Sequence, residues 1–437
     1  MNAVDKLYRR TADGIKPGLE VINTLLDELD APHNKFVSIH VAGTNGKGSV
    51  CAMIESVLRV SGFKTGLFTS PHLINFSERY RVNGKSISSK KLNRYILQLD
   101  QLADQISNNK ELRRATFFEL STLIAFQYFA DEKVDIAIIE TGMGGRLDAT
   151  NVLYPLLSVI TPISMDHTEF LGNNLKNIAF EKAGILKKGR PAISSDQPLD
   201  VKNVLQSKHQ DIHFVNEHIF LQKIGRPQKL KIETPARSLP PINLSLLGPV
   251  QRENAALAIG ALEQVADILH FEPNFKMGLE NVEWPGRFME VSEKPKIIYD
   301  GAHNPASATA LKETIEDCYP DHEVSFIFGF LEDKDISNFC KNLKSIVSEA
   351  WTVSLDCHRG LNAELSTQYA AIGGVKAEPL ELKAAYEKAK NWAGVLGTNR
   401  IIIITGSLHL AELCISDGIF RLSSLLKAKI SAFCFFK

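Results

Sequence analysis

The sequence predicts an α/β protein of two domains, the larger on a mostly parallel sheet and the smaller a Rossmann-like α/β layer. Three observations predict it. Short β-branched runs alternate with stretches of helical periodicity, one such run leads into a glycine-rich turn and a helix, and the alternation restarts after Trp284-Pro285-Gly286.

In chain order, Phe36–Ala42 (FVSIHVA) reads as a buried strand. Gly48–Val60 follows the glycine turn, with Val50, Met53, Ile54, Val57 and Leu58 at helical spacing. Thr65–Thr69 reads as a strand, Thr116–Ala130 as a helix, Val134–Glu140 as a central strand and Leu156–Thr161 as another. The stretch 190–245 differs. Its basic, proline-containing segments Ile224–Lys231 and Thr234–Pro241 read as strands and loops on an edge of the first domain. Gly248-Pro249 precedes a helical run from Gln251 to Ala266. Beyond the Trp-Pro-Gly turn, Lys296–Asp300, Val324–Gly329, Ala350–Leu355 and Arg400–Thr405 are strands, with helices at Ala306–Asp317, Ile336–Ser345 and Leu382–Ala393 between them. The domains are set at 1–287 and 288–437.

Composition bounds the function. A chain of 437 residues fits two or three domains. Hydrophobic and charged shares of 44% and 23% are those of a soluble globular protein. Zero net charge supplies no global field toward nucleic acid or membrane, so anion affinity must come from local sites. The six cysteines include no C-x-x-C pair, which predicts free thiols in a reducing cytoplasm. The N-terminus lacks the apolar core of a signal peptide, and no apolar stretch is long enough to span a bilayer. The apolar run Ile430–Phe436 reads as packed on the body or as a tail. A cytoplasmic monomer is expected.

Gly43-Thr44-Asn45-Gly46-Lys47-Gly48-Ser49, between a strand and a helix, has the setting of a phosphate loop. Its glycines let backbone N–H groups turn inward, and the helix N-terminus adds positive partial charge. Lys47 supplies a full charge for the β- and γ-phosphates, and Ser49 a hydroxyl. The first domain is therefore read as a P-loop ATPase domain. Two positions depart from the common spelling: Val41 stands where a glycine is usual, and Gly48 directly follows the lysine.

Other residues are ambiguous alone. Glu140, ending a buried strand, needs a metal, a cap or a salt bridge to offset its burial. His167 by itself reads as a core or loop histidine, Lys182 as a solvated helix lysine, and Phe117 and Phe118 as core. Asp300 and Asn304 could form a turn or an N-cap for the helix beginning at Ala306.

Further blocks follow in order: TSPHL at 69–73, TFFE at 116–119, ETGMGGRLDATN at 140–151, Asp166-His167, EKAGI at 181–185, GPVQRENAALA at 248–258, WPGRF at 284–288, DGAHNP at 300–305 and TGSLHL at 405–410. With GTNGKGS, this ordered set resembles the Mur ligase family of ATP-dependent amide ligases, and within it the branch that makes folates. The resemblance covers nearly the whole chain. It implies that ATP phosphorylates a carboxylate and that the amine of L-glutamate attacks the acyl phosphate. The acceptors implied are dihydropteroate and the glutamate tail of folates. Ser70, Glu140 and His167 are implied to carry Mg²⁺, as two ions. Lys182 is implied to be carbamylated, and Lys47, Lys182 and His303 to act in catalysis. Asn254, Arg287 and Asp300 would join the loop in contacting ATP, Asp300 from the second domain. Thr116, Phe117, Phe118, Glu119, Leu147, Asp148 and Ala149 would meet the pterin, with Asp148 accepting from its amino edge. Ser407 and His409 would help bind glutamate. Val250 and His409 depart from residues frequent in relatives and leave substrate preference less defined than ATP use. A monofunctional folate-tail ligase and another amino-acid ligase of the same family are the alternatives. A non-catalytic nucleotide switch is a third reading, opposed by the retained Lys47, Glu140, His167, Lys182 and Asp300.

Overall fold

The structure is a computed structural model that describes residues 3–14, 16–357 and 359–420. The apolar run at 430–436 and Cys434 lie outside the described residues. Two compact units divide the chain: Met1–Ser245 with Glu253–Val282, and Leu246–Arg252 with Glu283–Lys437.

The first unit is built on β1 (Val37–Ala42), β2 (Thr65–Phe68), β3 (Tyr80–Val82), β4 (Lys85–Ser86), β5 (Ile136–Glu140), β6 (Leu157–Ile160), β7 (Ala192–Ser194) and β8 (His213–Phe214). Their order across the sheet is β4-β3-β2-β5-β1-β6-β7-β8. All neighbours from β2 to β8 are parallel, and β3 and β4 add an antiparallel edge. β5 and β6 are buried along their whole length and β1 beyond its first residue, which is why they read as continuous apolar runs rather than alternating ones. Val41 pairs with Glu140 across β1–β5, and Ala42 with Ile160 across β1–β6. Gly43, Thr141 and Thr161 therefore leave the sheet at one level, at the carboxyl ends of three adjacent strands, where open α/β sheets place their ligands.

The middle stretch carries strands within the first unit, as the sequence suggests. β7, β8 and the helix Leu199–Lys208 extend the parallel sheet. β9 (Phe220–Gly225), β10 (Lys229–Glu233) and β11 (Ser238–Asn243) form an antiparallel sheet of their own within that unit. Leu230, Ile232, Leu239 and Ile242 supply its buried face, while charged residues alternate outward on β10.

In the second unit, β12 (Met289–Glu293), β13 (Lys296–Tyr299), β14 (Glu323–Phe328), β15 (Val347–Thr352), β16 (Glu378–Pro379) and β17 (Arg400–Thr405) run in the order β12-β13-β17-β14-β15-β16. Only β12 is antiparallel to its neighbour. Phe326, Phe328, Phe330 and Phe339 centre its core. The expected strand Ala350–Leu355 begins earlier and ends at Thr352. Val353 and Leu355 are buried in the loop beyond it, so apolar character outlasts the strand. The described cysteines are all free thiols, and among the described residues no helix is long and apolar enough to cross a membrane.

Candidate active site

The phosphate loop joins β1 to the helix Lys47–Val60. Gly43 and Gly46 are the glycines it cannot exchange. Gly43 has φ +152° and a β-carbon there would overlap the Thr161 side chain; Gly46 has φ +86° and faces the Asn254 amide in the same way. Asn254, expected to contact ATP, is thus a buried wall of the loop. Thr44 fixes the loop from the other side. Its N–H donates to Pro162 O at 2.9 Å, and its hydroxyl donates to Ser164 O and accepts from Ser164 N, both at 3.1 Å. Lys47 Nζ donates to Gly43 O at 3.2 Å and Thr44 O at 3.1 Å. Ser49 is buried in the first helical turn.

Lys182 ends the helix Leu175–Lys182 and is buried, contrary to the solvated lysine that its sequence neighbours suggest. Its Nζ donates to Gly43 O at 2.6 Å. Burial, then the nearby Lys47 charge, pushes its pKa down to about 7, against the pull of Asp166 and Asp148.

Glu140 is buried at the end of β5, and its Oε2 accepts from Ser70 N at 2.9 Å. Ser70 and Glu140 are therefore brought together. His167 follows the Thr161–Ser164 segment that docks on the loop; its N–H bonds Asp166 Oδ1 at 2.9 Å, and its side chain is 39% exposed. Among the described residues no group of three or more His, Cys, Asp and Glu side chains could hold a metal. The expected set has only two such residues, with a serine as third. Its donors, a carboxylate, a hydroxyl and an imidazole, with Ser49 as another hydroxyl, are mostly oxygen and fit magnesium.

The proposed pterin residues divide into scaffold and surface. Thr116 and Glu119 form a capping box at the helix Phe117–Glu132. Glu119 accepts from Thr116 N at 2.8 Å and from its hydroxyl at 2.9 Å, and takes two bonds from Arg113 at 2.7 and 2.8 Å. Asp148 is equally engaged: Oδ2 accepts from Met143 N at 2.9 Å, and Oδ1 from Thr150 N at 3.0 Å and Thr150 Oγ1 at 2.5 Å. These carboxylates brace backbone. The half-buried Phe118 lies against Gly142, two residues past Glu140, so closely that a β-carbon there would overlap its ring. Half-buried Phe117 stacks on Tyr8, with centroids 5.2 Å apart and planes 17° apart. The Arg79 guanidinium lies 5.4 Å from the Phe117 centroid and 5.1 Å from that of Phe76. Arg79 Nε donates to His72 Nδ1 at 3.0 Å, and His72 Nε2 meets the Tyr8 hydroxyl at 3.3 Å. Sequence reasoning missed Tyr8, His72, Phe76 and Arg79 as a group. His72 lies within the TSPHL block; the other three carry no periodic or motif signal.

In the second unit, Asp300 follows β13. It accepts from Phe288 N at 2.7 Å and Ala302 N at 2.8 Å, and burial raises its pKa against the opposing Arg287 charge. Arg287 Nη1 and the Leu408 side chain fill the space that a β-carbon at Gly301 would need. His303 donates Nδ1–H to Gly301 O at 2.8 Å, which fixes the orientation of its ring. Asn304 is the N-cap of the helix Pro305–Cys318, through its side chain to Ser307 N at 2.9 Å. Tyr299 Oη donates to Ser407 O at 2.9 Å, and Ser407 Oγ accepts from His409 N at 3.2 Å. The ends of β13 and β17 thus bring Arg287, Asp300, His303 and Ser407 into one neighbourhood.

Residues 41–262 match the Mur ligase middle domain, and residues 286–408 match the Mur ligase glutamate ligase domain. The chain belongs to the Mur ligase family. This Mur ligase is 36% identical over 416 residues to the dihydrofolate synthase/folylpolyglutamate synthase of Bacillus subtilis, covering 92% of this chain and 95% of that protein. It is 30% identical over 418 residues to the protein of the same name from Escherichia coli, covering 94% and 92%. Mycobacterium tuberculosis folylpolyglutamate synthase complexed with ADP and AMPPCP superposes with a TM-score of 0.84 at 31% identity, over 92% of this chain and 95% of that one. E. coli FolC in complex with DHPP and ADP superposes with a TM-score of 0.83 at 28% identity, over 95% and 97%. This Mur ligase is an ATP-dependent ligase of the dihydrofolate synthase/folylpolyglutamate synthase type.

Proposed function

We propose that this ligase joins L-glutamate to dihydropteroate, and to the glutamate tail of folates, through an acyl phosphate made with ATP. The observation that carries this is the contact of Phe118 with Gly142. It puts an aromatic wall beside the strand end that bears Glu140, next to the strand end that bears the phosphate loop. An aromatic acceptor and a triphosphate fit that arrangement.

The acceptor carboxylate attacks the γ-phosphorus, and ADP leaves. The neutral glutamate amine attacks the acyl carbon, the tetrahedral intermediate expels phosphate, and the nitrogen loses one proton and keeps the other as the amide N–H. Lys47 holds the β- and γ-phosphates. The two carbonyls it now bonds are neutral, and a phosphate oxygen is the stronger acceptor. Backbone N–H groups of the loop and Ser49 complete the cradle. Asn254, Arg287 and Asp300 are assigned to the nucleotide, and Ser407 to glutamate. His303, oriented by its Nδ1 bond to Gly301 O, is assigned to accept a proton from the amine. Thr116 and the backbone of Leu147–Ala149 frame the pterin, with Phe117 and Phe118 packing on its rings.

Ser70, Glu140 and His167 are proposed to hold Mg²⁺, as two ions; when bound, magnesium screens phosphate charge and orients the γ-phosphate. Lys182 is proposed to carry a carbamate. A neutral amine is needed for this: its nitrogen bonds the carbon of CO₂ and releases a proton. A lysine with a pKa near 7 supplies that amine at physiological pH.

The test is ADP release from purified protein with ATP, Mg²⁺, glutamate and dihydropteroate, each omitted in turn. Release requiring all four supports the proposal. Release with a folate tail but never with dihydropteroate reduces it to a monofunctional tail ligase. ATP binding without turnover on any acceptor overturns it.

A further inference from the structure

One side chain of β1 is out of keeping with its strand. His40 is fully buried between isoleucines and valines, where an aliphatic residue would pack without polar atoms. It pairs laterally with Ile139 and Ser158, three residues before the phosphate loop. Its Nε2 lies 2.8 Å from Thr150 Oγ1.

The direction of that bond follows from its neighbour. Burial raises the pKa of Asp148 against the hydrogen bonds that lower it, and both of its oxygens are acceptors: Oδ2 from Met143 N, and Oδ1 from Thr150 N and from the proton of Thr150 Oγ1. The Thr150 oxygen must therefore accept, and His40 Nε2 must donate. This places the ring proton on Nε2 and leaves Nδ1 as a bare lone pair, buried and with no hydrogen-bond partner. Burial, reinforced by the Lys187 charge, keeps the ring neutral, with its pKa pushed down to about 3. The relay continues through Asp148 Oδ2 to Met143 N. Both sides of the turn between Gly142 and Thr150 are thus tied to one carboxylate, and that carboxylate to the sheet core through a histidine. Lys187 Nζ supports the same turn through Asn151 O at 3.1 Å and Oδ1 at 2.9 Å.

We infer that His40 and Thr150 are positioning residues that hold the backbone of Leu147–Ala149 in the shape that receives the pterin substrate, through the chain His40 Nε2–H to Thr150 Oγ–H to Asp148. The inference rests on the proposed pterin site. It assigns Asp148 to the frame of that site, with recognition by backbone groups, and gives a role to a histidine that touches no reacting atom. An unpaired buried nitrogen is a cost that an aliphatic residue would avoid. The Nε2–H donor is what offsets it.

The test compares wild type with His40→Leu, His40→Gln, Thr150→Val and the double variant His40→Leu/Thr150→Val. Michaelis constants for dihydropteroate and ATP are measured separately, with a melting curve for each protein. The glutamine carries an amide N–H at about the reach of Nε2. His40→Leu and Thr150→Val should each raise the KM for dihydropteroate about ten-fold or more while the KM for ATP stays within about two-fold. The double variant should be no worse than the poorer single one, since both break one chain. His40→Gln should recover most of the loss, which a cavity or packing effect would not. Folded variants with an unchanged KM for dihydropteroate overturn the relay, as does an equal rise for both substrates. If His40→Leu does not fold, Thr150→Val decides alone. An inactive wild type with dihydropteroate overturns the proposed function itself; an active wild type beside unaffected variants overturns only the relay.

Discussion

Lys182 Nζ lies 2.6 Å from the carbonyl oxygen of Gly43, which makes a buried amine the floor of the phosphate loop. Two lysines, 47 and 182, donate to that one carbonyl. Their mutual repulsion and the burial of Lys182 favour its neutral form, the form that reacts with CO₂.

The first prediction concerns pH. With a pKa of about 7, the neutral fraction of Lys182 rises from about a tenth at pH 6 to about nine-tenths at pH 8. At fixed dissolved CO₂, protein stripped of bicarbonate should regain ligase activity faster across that interval. A recovery rate flat in pH would remove the carbamate from the account.

Stability should carry the same signature. The folded pKa of about 7 is below the ordinary 10.5, so between those values the unfolded chain binds more protons. This contribution is unfavourable at pH 7 and below, and is relieved as pH rises toward 10.5. Lys182→Met removes it. The urea midpoint of the variant should gain on wild type at pH 6.5, and that advantage should shrink by pH 9 and vanish only near pH 10.5, with ligase activity lost throughout.

Gly46→Ala tests the loop without touching a charged group. A β-carbon at φ +86° is strained and meets the Asn254 amide. Strain of this kind costs about 1–3 kcal/mol. Nucleotide affinity measured by calorimetry should fall by at least about ten-fold, corresponding to about 1.4 kcal/mol. Unchanged affinity would mean that the loop does not close on phosphate.

Much of this was legible in the sequence. Buried parallel strands announce themselves as β-branched runs, so β1, β5, β14 and β17 were located to within a residue or two. The glycine turn was readable because strand, turn and helix are contiguous. What failed to show was contact between distant segments. Lys182 looks solvated beside Glu181, and only the fold buries it under Gly43. Glu119 and Asp148 read as ligands, yet their partners, Arg113 in one case and Met143 and Thr150 in the other, are fixed by turn geometry. β3, β4, β7 and β8 have two or three residues, too few for any period to emerge. Tyr8 meets Phe117 across more than a hundred residues, which no local pattern encodes.

Glu119 and Phe117 should separate frame from surface. Glu119→Gln weakens a buried, doubly bonded ion pair with Arg113 and should cost about 1–3 kcal/mol, seen as a lower melting temperature. Phe117 is half-buried, so Phe117→Ala should act mainly on substrate, raising the KM for dihydropteroate by about ten-fold. A reversed pattern would contradict the assignment of the two residues.

The central claim is the identity of the carboxylate that ATP activates. Mass analysis of the product formed from dihydropteroate, ATP, Mg²⁺ and L-glutamate tests it most directly, with Lys47→Ala as the control. The account predicts a product one glutamyl residue heavier than dihydropteroate, made by wild type and absent from Lys47→Ala. Unmodified dihydropteroate after prolonged incubation with active protein, or full product from Lys47→Ala, would contradict it.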